Sequence, residues 1–254
     1  MSETGHAINI ASGEKLLSAV TAMVGYSPSN TALTVASLTA KLAAASGAID
    51  TLTSKGAARD AAETDRENIF KPLGPLVTKS VGYYTSTGTD QNKIDDAKSF
   101  KRKIDGKRAS KPNGNGSGGG IVPVGGGTVV EPPTIDPGPK TISSSQQSYV
   151  QKAEHFDGLI ETYKSDALYA PNETNLKITG LTAYSVQLHG ANTTVFDAIT
   201  DEQNARAGRN LELYDDKSGL VAVAILVKNY VKAVYGATSP QFKQVSKIPF
   251  KTIK

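Results

Sequence analysis

Fifteen residues of this chain come back later in altered form: YSPSNTALTVASLTA, Tyr26 to Ala40, returns as YAPNETNLKITGLTA, Tyr169 to Ala183. A passage carried twice asks for two similar structural units, provided the same offset of 143 residues also works outside the quoted window. It places Leu16 on Leu159, Pro28 on Pro171, Leu33 on Leu176, Leu38 on Leu181, Gly47 on Gly190 and Arg66 on Arg209, with Val35 on Ile178 as a conservative match. Past Arg66 the offset grows by a few residues, so that GPLV at Gly74–Val77 faces SGLV at Ser218–Val221. The alternative is chance similarity of two Ala/Thr-rich helices, and it sits poorly with matched Pro, Gly and Arg residues, which have positional meaning. The expected organisation is a first helical repeat over residues 5–106, a linker over 107–147 and a second repeat over 148–250.

The period of the apolar residues says what each repeat is. Val35, Leu38, Leu42, Ala45, Ile49 and Leu52 recur at steps of three and four, and the second copy keeps Ile178, Leu181, Leu188 and Val195 in the same places. Such a stripe predicts a long helix packed along a partner. Pro28 and Pro171 suit a first helical turn, with Ser29 and Asn172 as caps, and a shorter helix is expected before them at Lys15 to Met23. From Ala57 to Tyr84 the composition is helical, with Pro72 and Pro75 expected to bend or break it. Copy two runs LVAVAILVKNYVKAVYG from Leu220 to a stopping glycine, Gly236, with Val227, Tyr230, Val231 and Val234 facing inward and Lys228 and Lys232 outward. Short closing helices are expected near Asp90–Ile104 and Pro240–Lys247. One hairpin leaves an apolar stripe wet, and two hairpins bury it together. The predicted fold is therefore all-α: a pseudo-twofold helical bundle of two duplicated helical hairpins, four main helices in all, joined by a long Gly/Pro-rich linker.

The linker, KPNGNGSGGGIVPVGGGTVVEPPTIDPGPK, has no helical period. A coil of some 30 residues spans about 30 Å and a helix of some 28 residues about 42 Å, so such a linker either returns the chain across the bundle or passes it to a neighbouring molecule. Its apolar islands, with Ile121, Val122 and Val124 in one and Val129 and Val130 in the other, offer extended segments for a protein partner.

The passages YSPSNTALTVASLTA, RENIFKPLGPLVTK, KRKIDGKRAS, SSSQQSY and ATSPQFKQVSKIPF together resemble a group of bacterial proteins built as tandem helical hairpins, over nearly the whole chain except the glycine-rich linker. The resemblance implies a bacterial source. It brings no activity and no catalytic residues with it.

Chemistry is sparse. With no cysteine, disulfides, thiolate ligands and cysteine nucleophiles are excluded together. The histidines are His6, His155 and His189, none three residues after a glutamate as a di-iron bundle requires, and His155 in AEHFD reads as an exposed helical turn. No Gly-x-Ser-x-Gly elbow and no Gly-Lys-Ser/Thr phosphate loop occurs. No cofactor is therefore expected, and no enzyme. The basic run holding Lys101, Arg102, Lys103, Lys107 and Arg108 lacks interleaved aromatics and has Asp95, Asp96 and Asp105 close by. It reads as a solvated helix end complementing the helix dipole, which disfavours nucleic acid. Arg66 and Arg209, the one repeated charge, are expected to pair with Glu63 and Glu67 in one copy and with Glu202 and Glu212 in the other, or to bind an anion together.

The longest apolar run, Leu220 to Val227, is too short to span a bilayer, so a membrane role is disfavoured, although the same run is what a membrane-active helix would use. The opening MSETGHAINIASGEK has neither the basic start nor the apolar core of a secretory signal, pointing to the cytoplasm by default, with export by another route left open. Duplication, Ala-rich helices and missing catalytic groups point to a structural protein whose partner is itself, as a homo-oligomer or polymer. The alternative is an adaptor that engages a protein through its linker or basic ends.

Overall fold

The computed structural model describes residues 4–107 and 147–252, and every regular element among them is helical: α1 (Thr4–Thr21), α2 (Val35–Phe70), α3 (Leu73–Ser86), α4 (Gln91–Ile104), α5 (Tyr149–Lys164), α6 (Ile178–Tyr214), α7 (Leu220–Tyr235) and α8 (Pro240–Ser246). A 3₁₀ turn at Thr31–Leu33 precedes α2. Arg108, Ile121, Val122, Val124, Val129 and Val130 lie outside the described residues. No described helix is long and apolar enough to cross a membrane.

The helix boundaries have local causes. Each copy holds one long helix rather than two, because Pro72 ends α2 by removing an amide donor and crowding the preceding turn. Pro75 falls in the first turn of α3, where its missing N–H is one that no helix satisfies internally. The caps expected at Pro28 and Ser29 sit one step later: Asn30 Oδ1 accepts from the Ala32 amide at 3.0 Å to close the 3₁₀ turn, and Thr34 Oγ1 accepts from the Ser37 amide to start α2. Tyr26 holds this loop by donating its hydroxyl to the Leu33 carbonyl at 2.7 Å, and Tyr169 does the same to Leu176 at 2.9 Å. Gly88 and Gly236, at φ +76° and +91°, follow the C-termini of α3 and α7 in a conformation other residues avoid.

Two compact units result, one from residues 1–64 with 194–254 and the other from 65–193. This division runs across the sequence copies, since each unit draws helices from both. In the first unit α1 packs on α7 and α8, and its core joins Leu16, Val20, Leu33 and Leu38 to Val227 and Val231. The facing parts of α2 and α6 run antiparallel, as the ion pairs Lys41–Glu212 (2.9 Å), Lys55–Asp201 (2.7 Å) and Arg59–Glu202 (2.6 Å) require. Helix α1 begins well before Lys15. The polar look of its first turns hides a buried face: Asn9 Nδ2 donates to the Lys251 carbonyl at 2.8 Å while Asn9 Oδ1 accepts from the Lys251 amide at 2.8 Å, and His6 Nδ1 lies 2.6 Å from the Tyr214 hydroxyl. Lys228, expected in solvent, donates to the Ile248 carbonyl at 2.6 Å, and burial lowers its pKa. Val234, expected inward, is exposed, because Val227 and Val231 already complete the buried stripe.

In the second unit α4 packs on α3 and α5 around Tyr84, Phe156, Leu159, Tyr163, Leu181 and Leu188. Asp166, just past α5, ties the α3–α4 turn to this core. Its carboxylate accepts from the Thr89 hydroxyl, from the Leu168 amide and from the Tyr84 hydroxyl, with Lys93 beside it, and these contacts hold its pKa down at about 2, below the ordinary 3.8. A depressed carboxylate pKa contributes stability above its unfolded value and loses it as pH falls through the folded one. Thermal unfolding of the wild type should therefore drop more steeply between about pH 4 and pH 2 than that of Asp166→Asn; parallel curves would remove Asp166 from acid unfolding.

Candidate interaction surface

The described residues contain no group of three His, Cys, Asp or Glu side chains placed to hold a metal ion. His6 is buried against Tyr214. His155, expected on an exposed turn, has a buried Nε2 without a partner, and burial followed by the charge of Lys103 lowers its pKa. His189 stands half-exposed on α6, where its Nε2 donates to Asp157 Oδ2 at 2.7 Å while the Ser185 hydroxyl donates to Asp157 Oδ1. Ser, His and Asp thus meet in the second unit, but in an order that disarms them. Serine and histidine share one carboxylate, and a nucleophilic serine needs its hydroxyl on the imidazole. The cluster ties α5 to α6.

One turn further along α6, Asn192 is buried with neither Nδ2 nor Oδ1 paired. A buried amide left unmatched costs about 1–3 kcal/mol. Replacing it with Val, apolar like Ile49 at the corresponding place in the first copy, should raise stability by about that amount in urea unfolding; a loss of stability would mean that the amide serves a partner. Sequence reasoning passed over both positions, although the 143-residue offset sets Ser185 against Leu42 and Asn192 against Ile49.

The anticipated charged residues are mostly occupied. Arg66 lies over the Tyr149 ring, 4.4 Å from its centre, and Arg209 is buried, with its Nη2 donating to Asn210 at 2.9 Å. Glu202 pairs with Arg59 and Arg206, and Glu212 with Lys41. At the end of α4, Lys101, Arg102 and Lys103 occupy the last turn, where cations complement the helix dipole. Lys101 reaches Asp105 at 2.5 Å, Lys103 lies over the Phe100 ring, and Lys107 is 3.9 Å from Asp105.

What remains unmatched is apolar. The opening turns of α7, LVAVAIL, are hydrophobic on all sides, which suits a helix buried all round. Leu220, Val223, Ala224 and Val227 go into the core, leaving Ile225 48% and Leu226 43% exposed on the opposite side. These two, with Val221, Ala222, Tyr214 and Thr252, line a groove of about 570 Å³ within the first unit. Its end is acidic, at Asp215 and Asp216. Asp215 Oδ1 accepts from the Ser218 amide and hydroxyl and from the Lys217 amide, contacts that lower its pKa and keep it ionised. The chain matches no family model, no curated protein and no solved structure.

Proposed function

We propose that the chain is a non-enzymatic structural protein, two copies of one helical unit that complete each other's cores, and that it assembles with further copies of itself. The duplication is supported by contacts that recur under the 143-residue offset. The Tyr26–Leu33 and Tyr169–Leu176 bonds correspond, and Lys41–Glu212 corresponds to Tyr184–Ile69, a bond of 2.6 Å with donor and acceptor copies exchanged. Arg59 pairs with Glu202, its own counterpart. Tyr26 meets Tyr230 edge-on at 5.3 Å, and Tyr169 meets Tyr83 edge-on at 5.5 Å. Exchanged pairs of this kind are what a pseudo-twofold relation produces.

The observation that carries self-assembly is the exposed Ile225–Leu226 face beside a buried Val221. Contiguous apolar surface rimmed by charge marks an interaction site. Sedimentation equilibrium over a wide concentration range should give a mass that rises for the wild type and stays at one chain for Ile225→Asp. A wild type that remains a single chain throughout defeats the reading.

One observation favours an adaptor role as a second reading. Gln147 Nε2 donates to the Lys103 carbonyl at 2.9 Å, so the residues flanking the linker lie together and the expected crossing of the bundle is not needed. Joining α4 to α5 takes a handful of residues, whereas 108–146 supplies some 40. Replacing that segment by a short Gly/Ser turn should keep the fold and gain about 1–2 kcal/mol through cheaper loop closure. Unchanged pull-down of host proteins by the shortened chain would take the adaptor role away from the segment.

A further inference from the structure

We propose that the α7 face of one molecule docks into a groove of the second unit of another copy, giving a head-to-tail contact with a fixed polarity. The inference rests on the self-assembly reading and adds the receiving surface.

That surface is a groove of about 330 Å³ lined by Pro72, Pro75, Leu76, Gly180, Tyr184 and Lys79. Its chemistry mirrors that of α7. Pro72 and Pro75 carry no amide hydrogen, so covering them strands no donor. Gly180 leaves bare backbone in the wall: a side chain there would run into the Thr174 carbonyl oxygen, so the hollow cannot be filled from within. Tyr184 is tied back through its hydroxyl to the Ile69 carbonyl at 2.6 Å and offers its ring. Lys79 is exposed and makes no hydrogen bond or ion pair among the described residues.

Against this hollow with one free cation stand two projecting aliphatic side chains, Ile225 and Leu226, beside two carboxylates. Asp215 uses only Oδ1, leaving Oδ2 open, and Asp216 forms no contact with another described side chain. Apolar projection meets apolar hollow, and acid meets lysine. The two copies are not interchangeable here: counted from the helix starts Leu220 and Leu73, the residues matching Ile225 and Leu226 are Thr78 and Lys79. Each molecule therefore carries one face of each kind, the condition for a heterologous contact that propagates until its rotation closes a ring or runs on as a filament. Pairing α7 with α7 of a second copy would bury the aliphatic residues but leave the carboxylates without a cation and Lys79 without a role.

The test is charge reversal in the full-length chain, followed by sedimentation and negative-stain microscopy. Lys79→Glu and Asp216→Lys should each raise the concentration needed for assembly by about tenfold, since each turns an attraction into a repulsion. The double variant Lys79→Glu/Asp216→Lys should recover most of the loss. Both positions are on the surface, and circular dichroism confirms that each variant is folded. Single variants that assemble like the wild type, a double variant that fails to recover, or an assembly that stops at a twofold dimer overturns the head-to-tail contact while leaving self-assembly standing. A wild type that never assembles overturns both.

Discussion

Cut within residues 108–146, the protein should remain folded as a complex of two fragments, and neither fragment should fold alone. The reason is the composition of the two cores. In the first unit Leu16, Val20, Leu33 and Leu38 come from the N-terminal fragment and Val223, Val227, Val231 and Val245 from the C-terminal one. In the second, Phe70, Leu73, Val77 and Tyr84 face Phe156, Leu159, Tyr163 and Leu188 in the same way. Each fragment thus brings half of two cores and no complete one. Burying an aliphatic or aromatic side chain is worth about 1.5–3 kcal/mol, and a fragment alone forgoes most of that while still losing the conformational entropy of folding. If the intact chain is stable by a typical 8 kcal/mol or so and its tether supplies an effective concentration of about 1 mM, the fragments should bind with a Kd on the order of nanomolar. Titration of separately purified fragments 1–107 and 147–254, followed by circular dichroism and native mass spectrometry, measures this. A fragment that unfolds cooperatively as a single chain would show that a core closes within one copy. A homodimer of one fragment would keep the exchange of halves and transfer it to like copies.

This expectation marks where sequence reasoning stops. Leu38 and Leu181 are buried as their stripe requires, Gly236 ends α7, and Pro72 ends α2. All of these follow from local rules: a period of 3.6, a positive φ, a missing amide. Periodicity reveals that a face must be covered and is silent on which segment covers it, so the crossing of helices between copies was not readable from either copy. The same limit hid the start of α1, whose buried His6 and Asn9 look like solvent-facing residues until Tyr214 and Lys251 arrive from the far end of the chain. Ser185 and Asn192 were legible in principle, as polar interruptions of a stripe that is apolar in the first copy. The α7 face was half-legible: LVAVAIL announced a helix apolar on every side, and the number of its sides that find a neighbour is a tertiary fact.

Tyr163→Ala should destabilise the protein by about 3–5 kcal/mol, a large share of the 5–15 kcal/mol that holds a typical domain together. Tyr163 is fully buried, stacked on Tyr169 with ring centres 4.0 Å apart and planes 3° from parallel, and met edge-on by Tyr84 at 5.1 Å. Truncation leaves a ring-sized cavity between residues held on other helices, and it strands Ser80, whose hydroxyl accepts from the Tyr163 hydroxyl at 3.0 Å. Tyr163→Phe keeps the stack and should cost only about 1 kcal/mol, the worth of one buried hydrogen bond. Alkaline pH separates the same two contributions. Burial pushes the Tyr163 and Tyr169 phenols up and raises Tyr84 to about 12, from 10.0. A raised phenol pKa contributes stability that is complete below about pH 10 and is lost as pH rises through the folded value, so Tyr163→Phe should flatten part of the alkaline fall. Because Tyr163 lies on α5 and Tyr84 on α3, the same truncation must also weaken the pairing of the two fragments. Carried into 147–254, Tyr163→Ala should raise the fragment Kd by about a hundred- to a thousandfold. An unchanged Kd would mean that the tyrosine stack stabilises one half by itself, and the two copies would then not complete each other in the second unit.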